Sequence, residues 1–568
     1  MKAQLGFMLL LVLLLPCVSS GQEAPLVLPD WTASGNQYLN AQIAADTAAN
    51  GWVANRVYVL NRNGIYYVNA LFRVDAGRTL KIRSDYDGSK HYKPTIYLYP
   101  TGTGGNPQNP PGNFIDLRGN LYLKNIMLSG YFEPVDSNLN NLQGGLINIP
   151  AAGVGANMYI DSCILKSSNG NHIRTDGAPG TVKVTNTIIG DMGFLGRSNL
   201  GAGKGIDLRN VSVDTCIFQN CTFVNWQDRI IRHFQSTAPI KYLRFDHNTL
   251  VNGMSYHGML SLGKVGNRAF ITNNLFIDPF SLGNDTDATR QAEFTDSGEK
   301  DAFGNPRMTW VISAPNDTTR WWVNNNYYAI SDSGQAFYNQ FQSAGVTGEG
   351  TPLTYNINAR LNAVGQDTTT TFRKITLTLT KTPTLMNVMN RWYRATNGGN
   401  KTKATTNFTQ SATKGHWLYD YDRKLVEYYY DTLNCTYSTG SQAYTGAQGG
   451  YPVGDLNWFP SKKALWAADA VSDVPAASAP PAEYSLNQNY PNPFNPATTI
   501  MYTVPKVSNV RLELFDMLGR KVATLVNEMK QPGEYHVAFD ASRLPSGIYI
   551  YRLSAPEQTI SKKMTLLK

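Results

Sequence analysis

Charge is scarce in this chain. Only 16% of its 568 residues are Asp, Glu, Lys or Arg, against 42% hydrophobic and 11% aromatic. That balance argues against helical bundles and coiled coils, which run on Ala, Glu, Lys and Leu, and the apolar content excludes wholesale disorder. Basic blocks are missing as well: no run of five Lys or Arg occurs, and 50 Lys+Arg against 41 Asp+Glu leave a mild net charge of +9. Nucleic acid is disfavoured as a partner, whereas a basic surface keeps an anionic polysaccharide open. Cysteine is rare. Of five, four follow residue 21 (Cys163, Cys216, Cys221 and Cys435), with no CxxC pair and with Cys216-x4-Cys221 the nearest spacing. So few in so long a chain exclude a disulfide scaffold, and the seven His show no zinc-ligand spacing. After residue 21 no stretch approaches the ~20 apolar residues of a membrane span, so a soluble mature chain without a transmembrane segment is expected.

What is present begins with Met1–Gly21, which reads as a secretory signal peptide. Lys2 supplies a positive start, Phe7–Pro16 an apolar run too short to span a membrane, and Ser19-Ser20-Gly21 a small-residue cleavage site before Gln22.

The middle of the chain carries an internal repeat of the form apolar, any, apolar, any, Asn or small polar, any, then two mostly apolar residues. It occurs at Leu121–Leu128, Met158–Leu165, Val182–Ile189, Val211–Phe218, Leu243–Leu250, Ala269–Phe276 and Trp321–Tyr328. Indexed on the third residue (Leu123, Ile160, Val184, Val213, Phe245, Ile271, Val323), the steps are 37, 24, 29, 32, 26 and 52, the last read as two units of 26. Alternation of period two places the first and third residues of each segment on one side of a strand. A short strand recurring at this interval predicts a solenoid whose coils share one core at ~4.8 Å spacing. The register predicts an amide ladder of Asn125, Asn186, Asn273 and Asn325, with Cys163 and Cys216 sharing the next position as stacked small hydrophobes.

This pattern, with phrases such as FDHNTLVNG and AFITNNLFIDP, resembles the pectate-lyase-like right-handed parallel β-helix superfamily over about residues 53–330. The fold class expected is therefore all-β, a right-handed parallel β-helix followed by a small C-terminal β-sandwich. Residues 22–52 are expected to hold a helical cap, centred on an amphipathic helix at 38–51. Residues 331–470 are read as the helix end and its C-terminal cap, and the Pro/Ala-rich Val471–Glu483 as a linker.

Residues 484–568 resemble the C-terminal sorting domain of proteins exported by the type IX secretion system, through NQNYPNPFNPATTI (487–500), VRLELFDMLGRKVATL (510–525), LPSGIYIYRL (544–553) and KKMTLLK (562–568). That resemblance implies recognition by the outer-membrane export machinery, and secretion or surface attachment. Alternating strands punctuated by Pro and Gly fit a small β-sandwich.

Outward positions of the ladder combine aromatic, basic and acidic residues. Tyr122, Tyr159, Tyr242, Phe270 and Trp322 offer apolar platforms for sugar rings, and Arg268 a partner for uronate carboxylates. Lyases of acidic polysaccharides neutralise the substrate carboxylate and remove the C5 proton with a base. Asp214 and Asp246, placed at one position in adjacent coils, are the candidate ligands for Ca²⁺, and Lys183 and Arg244 the candidate bases. Asp228–His233 forms a second cluster, with His257 and the NDTD loop at 284–287 weaker candidates. The motif sets of polygalacturonases, pectin methylesterases and the best-known pectate lyases are missing. Two classes stand: an extracellular acidic-polysaccharide lyase, and a non-catalytic adhesin or glycan-binding protein using the same face.

Overall fold

The computed structural model describes residues 23–85, 93–98, 113–130, 144–168, 170–192, 203–226, 228–233, 238–255, 258–263, 265–281, 309–313, 320–332, 335, 351–353, 355–363, 365–382, 433–473, 484–489, 492–506, 508–530 and 533–567. The signal peptide, His257, the NDTD loop and most of the linker lie outside them. Among the described residues no helix is long and apolar enough to cross a membrane.

A strand that is apolar at every second residue must bury that side, and one coil cannot do so alone. Here each coil supplies three short strands, as in Asn157–Asp161, Ile164–Ser168 and Asn171–Thr175, before the chain returns at Thr181–Thr185. Equivalent strands of successive coils pair in parallel, giving three sheets of ten, ten and nine strands. The first sheet runs from Ala24–Leu28 to Arg320–Asn324, the second from Ile65–Val68 to Phe372–Lys374, and the third from Phe72–Val74 to Thr351–Leu353. This is a parallel β-helix. Its core stacks Leu121, Met158, Val182, Cys216, Leu243, Ala269 and Trp321 in one column of the first sheet, all buried. Leu123, Ile160, Val184, Phe218, Phe245, Ile271 and Val323 form the other, equally buried.

Two features of the expected register are corrected. In the coil after Val184 the index residue is Phe218, not Val213, because Val182 pairs with Cys216 and Val184 with Phe218. Val211-Ser-Val213 imitates the apolar alternation, but the ring of Phe218 fills the column, 6.3 Å from Phe245 and 5.7 Å from Phe223 between centroids. The 52-residue step is one coil, since Ile271 pairs directly with Val323. Its extra length falls between the second-sheet strand Leu275–Ser281 and the third-sheet strand Thr309–Ser313.

The Asn column also divides its work differently. Asn125, Ser162, Asn186, Asn220, His247, Asn273 and Asn325 all adopt φ between 51° and 59°, the left-handed conformation in which the chain leaves the first sheet for the second. Asn tolerates that conformation better than most residues, which explains its recurrence there. The amide ladder lies one residue later, inside the core. Asn248 Nδ2 donates to Asn274 Oδ1 at 3.1 Å and Asn274 Nδ2 to Asn326 Oδ1 at 2.9 Å. The same oxygens accept from the backbone N–H of Asn248 and Asn274, at 2.9 and 3.1 Å. In earlier coils Cys163, Thr187 and Cys221 hold this position, so Cys163 aligns with Cys221, while Cys216 aligns with Val182 and Leu243. All four described cysteines are buried, and none is in a disulfide. Burial pushes the Cys163 and Cys216 thiols up to about 12, which keeps them unreactive.

At the N-terminal end the helix Leu39–Asn50 buries Leu39 and Ile43 against the first coils, and Asp46 accepts from Arg56 Nε (2.9 Å) and Tyr58 Oη (3.0 Å). Ala24–Leu28, within the stretch expected to be a helical cap, is a strand of the first sheet. The segment 433–463 lies along the outer side of the second sheet. Its Cys435, Tyr437, Ala443 and Val453 pack with Val224, Val251, Leu275 and Tyr327. Polar bonds pin it: Thr222 Oγ1 donates to Asp455 Oδ2 at 2.7 Å, Trp458 Nε1 donates to Thr222 Oγ1 at 2.8 Å, and Lys463 Nζ donates to Asn186 Oδ1 at 2.7 Å.

One glycine exists for its neighbour. Gly253 lies against the fully buried indole of Trp226, and a Cβ there would stand 1.8 Å from the ring. Gly253→Ala is expected to cost about 3 kcal/mol, the upper part of the overpacking range, as measured by urea unfolding of the purified chain. An unchanged midpoint would mean that Trp226 has room to move.

The C-terminal unit has its own core. A three-stranded sheet (Ser485–Leu486, Ala497–Val504, Gly533–Asp540) and a four-stranded sheet (Lys521–Lys530, Ser508–Asp516, Gly547–Ser554, Thr559–Leu566), both antiparallel, enclose Tyr502, Leu512, Leu514, Tyr551 and Met564.

Candidate functional site

The outer side of the first sheet gathers the residues singled out from sequence. One outward column runs Lys81, Tyr122, Tyr159, Lys183, Ile217, Arg244, Phe270 and Trp322. Stacking at the strand spacing brings Tyr122 and Tyr159 to 4.6 Å between centroids at 12°, and Phe270 and Trp322 to 4.6 Å at 10°. Each pair meets a cation: Lys81 Nζ lies 5.9 Å from the Tyr122 centroid, and the Arg244 guanidinium 5.3 Å from that of Phe270. Lys81 belongs to the earlier coil Thr79–Ser84, which has the same alternation but continues Ser84-Asp85-Tyr86-Asp87 without the two closing apolar residues, so the repeat passes over it.

The second outward column brings Tyr242, Arg268 and Arg320 to successive rungs. Tyr242 reaches the Phe270 ring at 5.8 Å, and its hydroxyl accepts from Arg244 Nε at 3.0 Å. Arg268 and Arg320 stand directly opposite one another on neighbouring strands, and neither makes an ion pair among the described residues. Like charges so placed repel. The result is a patch of three guanidinium groups and three aromatic rings at the C-terminal end of the sheet.

The two carboxylates expected as a cation site are not neighbours. Asp246 shares its rung with Gln219, while Asp214 lies opposite Lys241, five residues earlier in the strand and so about 16 Å away along it. The cause is that Phe218, not Val213, holds the index position of that coil. Asp214 is exposed and bridged by Lys241 Nζ at 2.5 Å. Asp246 is buried and saturated, accepting from Gln219 Nε2 (2.8 Å), Thr272 Oγ1 (2.7 Å) and Asn273 Nδ2 (2.9 Å). Burial works against its charge, yet His247, Arg244, Thr272 and Gln219 together hold its pKa below the ordinary carboxylate value. Asp161 repeats the arrangement two coils before Gln219, accepting from Thr185 Oγ1 (2.8 Å) and Asn186 Nδ2 (2.7 Å). A carboxylate in this column ties one coil to the next, and the pair does not fit a shared cation.

The candidate bases also separate. Lys183 is exposed, opposite Tyr159 and Ile217, two rungs from Arg244. Burial opposes the charge on Arg244, but Tyr242 and Asp246 outweigh it and raise its pKa further, which suits an anion-binding group more than a proton acceptor.

The Asp228–His233 cluster is built into the third-sheet side. Asp228 bridges Lys204 at 3.1 Å and Arg229 at 3.3 Å, and Arg232 bridges Asp207 at 3.1 Å. The buried His233 places Nε2 3.1 Å from the Val211 carbonyl, and burial lowers its pKa. Lys204 and Asp207 lie outside the repeat phrases, which is why sequence reading passed over this network.

Residues 488–566 match a family model described as a secretion system C-terminal sorting domain. No pectate-lyase family model matches. No curated protein and no solved structure matches the chain. The C-terminal unit is thus a type IX sorting domain, and it marks this β-helix as a protein exported by that system, either secreted or attached at the cell surface.

Proposed function

We propose that the solenoid binds an extracellular acidic polysaccharide on the outer side of the first sheet. The observation that carries this reading is the rung formed by Arg268 and Arg320, two like charges facing each other beside the Phe270–Trp322 stack. A carboxylate or sulfate between them relieves the repulsion, and the neighbouring rings and Tyr242 supply contacts for the sugar body. Lys81, Tyr122, Tyr159 and Lys183 extend the same column toward the other end, so the ligand favoured is a polymer. The pectate-lyase-like resemblance supports a glycan as ligand. The non-catalytic reading is preferred because Arg244 is held charged and Asp246 is committed to its bonds with Gln219, Thr272 and Asn273.

Titration calorimetry with polygalacturonate, alginate and a glycosaminoglycan tests this. At least one is expected to bind, more weakly as salt rises. Arg268→Ala with Arg320→Ala is expected to lower affinity about tenfold or more, at an unchanged melting temperature. Failure of all three polymers to bind overturns the reading. Rising ultraviolet absorbance from unsaturated uronates, lost on Lys183→Ala, would make the protein a lyase with Lys183 as its base.

A further inference from the structure

The sorting unit exposes apolar side chains where its fold has no use for them. Between the strands Ser508–Asp516 and Lys521–Lys530 the chain turns through Met517-Leu518-Gly519, leaving Met517 63% and Leu518 79% exposed. The turn is rigid. Asp516 Oδ1 accepts from the N–H of Leu518 at 2.9 Å and of Arg520 at 3.0 Å, and Asp516 Oδ2 accepts from Arg520 Nε at 2.7 Å. Gly519, at φ 78°, donates to the Asp516 carbonyl at 3.0 Å and closes the loop. These bonds need only Asp516, Gly519, the Arg520 side chain and backbone groups, so none of them calls on the side chains of residues 517 and 518.

Next to this tip, a groove of about 420 Å³ opens between the strands Lys521–Lys530 and Gly533–Asp540, each at the edge of its sheet. Val522, Ala523, Phe539 and Leu544 form its apolar part, with Asp540 and Arg543 at hand. Arg520 and Lys521 flank the tip and pair with Asp516 (2.7 Å) and Glu513 (3.2 Å), while residues 484–568 as a whole contain ten Lys and Arg against six Asp and Glu. An apolar knob and an adjoining apolar groove, on a domain of net basic charge, are the elements of a protein docking surface with a buried centre and a polar rim.

We propose that the Met517–Leu518 hairpin tip is the knob by which the sorting domain docks on a protein component of the export machinery, in an apolar socket on an acidic surface that complements the basic excess of the domain. Preorganisation by Asp516 means that no ordering of the tip is paid on docking.

The test uses the full-length protein, expressed in a bacterium that has type IX secretion. Met517→Ser with Leu518→Ser is expected to lower the surface-exposed fraction about tenfold or more, with the protein retained in the periplasm and the melting temperature of the purified chain unchanged. Met529→Ser, at an equally exposed residue elsewhere on the strand Lys521–Lys530, is expected to export normally. Normal export of the double variant overturns the proposal, and so does equal retention of Met529→Ser. If the double variant melts lower, Leu518→Arg decides: it leaves the turn bonds in place, and its normal export would overturn the proposal. A tip that serves lipid instead would show normal export of the double variant with lost binding to anionic phosphatidylglycerol vesicles, which also overturns it.

Discussion

Val184→Asp is expected to unfold the solenoid or to cost it more than about 4 kcal/mol, the range reached when an unpaired charge is buried. Val184 is fully buried in the first-sheet column between Ile160 and Phe218, and a carboxylate there finds apolar side chains in the coils on either side. The adjacent Lys183 points outward, is exposed and makes no ion pair among the described residues, so Lys183→Asp is expected to stay within about 0.5 kcal/mol. Urea unfolding of both variants is the measurement. Equal losses would mean that the register is wrong, because a slip of one residue moves every side chain of a strand to the other side. Thr185 is a poor control for the same comparison, although it too points outward. Its hydroxyl donates to Asp161 at 2.8 Å, and Thr185→Asp would set two carboxylates against each other.

Deletion of Tyr484–Lys568 is expected to abolish surface display and to leave a folded solenoid in the periplasm. The two units have separate cores, so the solenoid keeps its apolar columns without the sorting domain. The matched family lies wholly within the deleted segment, and the address read by the export machinery goes with it. Whole-cell labelling measures display, and the urea midpoint of the periplasmic fraction reports whether the solenoid survives. Undiminished labelling would show that a second export signal exists upstream. A shifted midpoint would show that the solenoid depends on the removed unit.

Of the fold, the sequence by itself determined the strand period, the stacking and the separate C-terminal unit. Alternation of period two with a turn residue at fixed distance has few structural solutions, and Leu121, Leu123 and Asn125 already carry both signals. The sorting domain was legible because four phrases stand in order over one short segment. Tertiary structure alone decided which of two apolar pairs in one coil stacks on Val182 and Val184. Val211 and Val213 imitate the pattern as well as Cys216 and Phe218 do, and only stacking against Val184 and Phe245 selects the second pair. That five-residue difference parts Asp214 from Asp246 and removes the expected cation site, while leaving Tyr242, Arg244, Arg268, Phe270 and Trp322 together, because their strands pair in the expected register. The same limit hid the interior ladder of Asn248, Asn274 and Asn326. A short polar residue looks alike in sequence whether it turns the backbone or bonds the next coil, and only the position of the coil above tells the two apart.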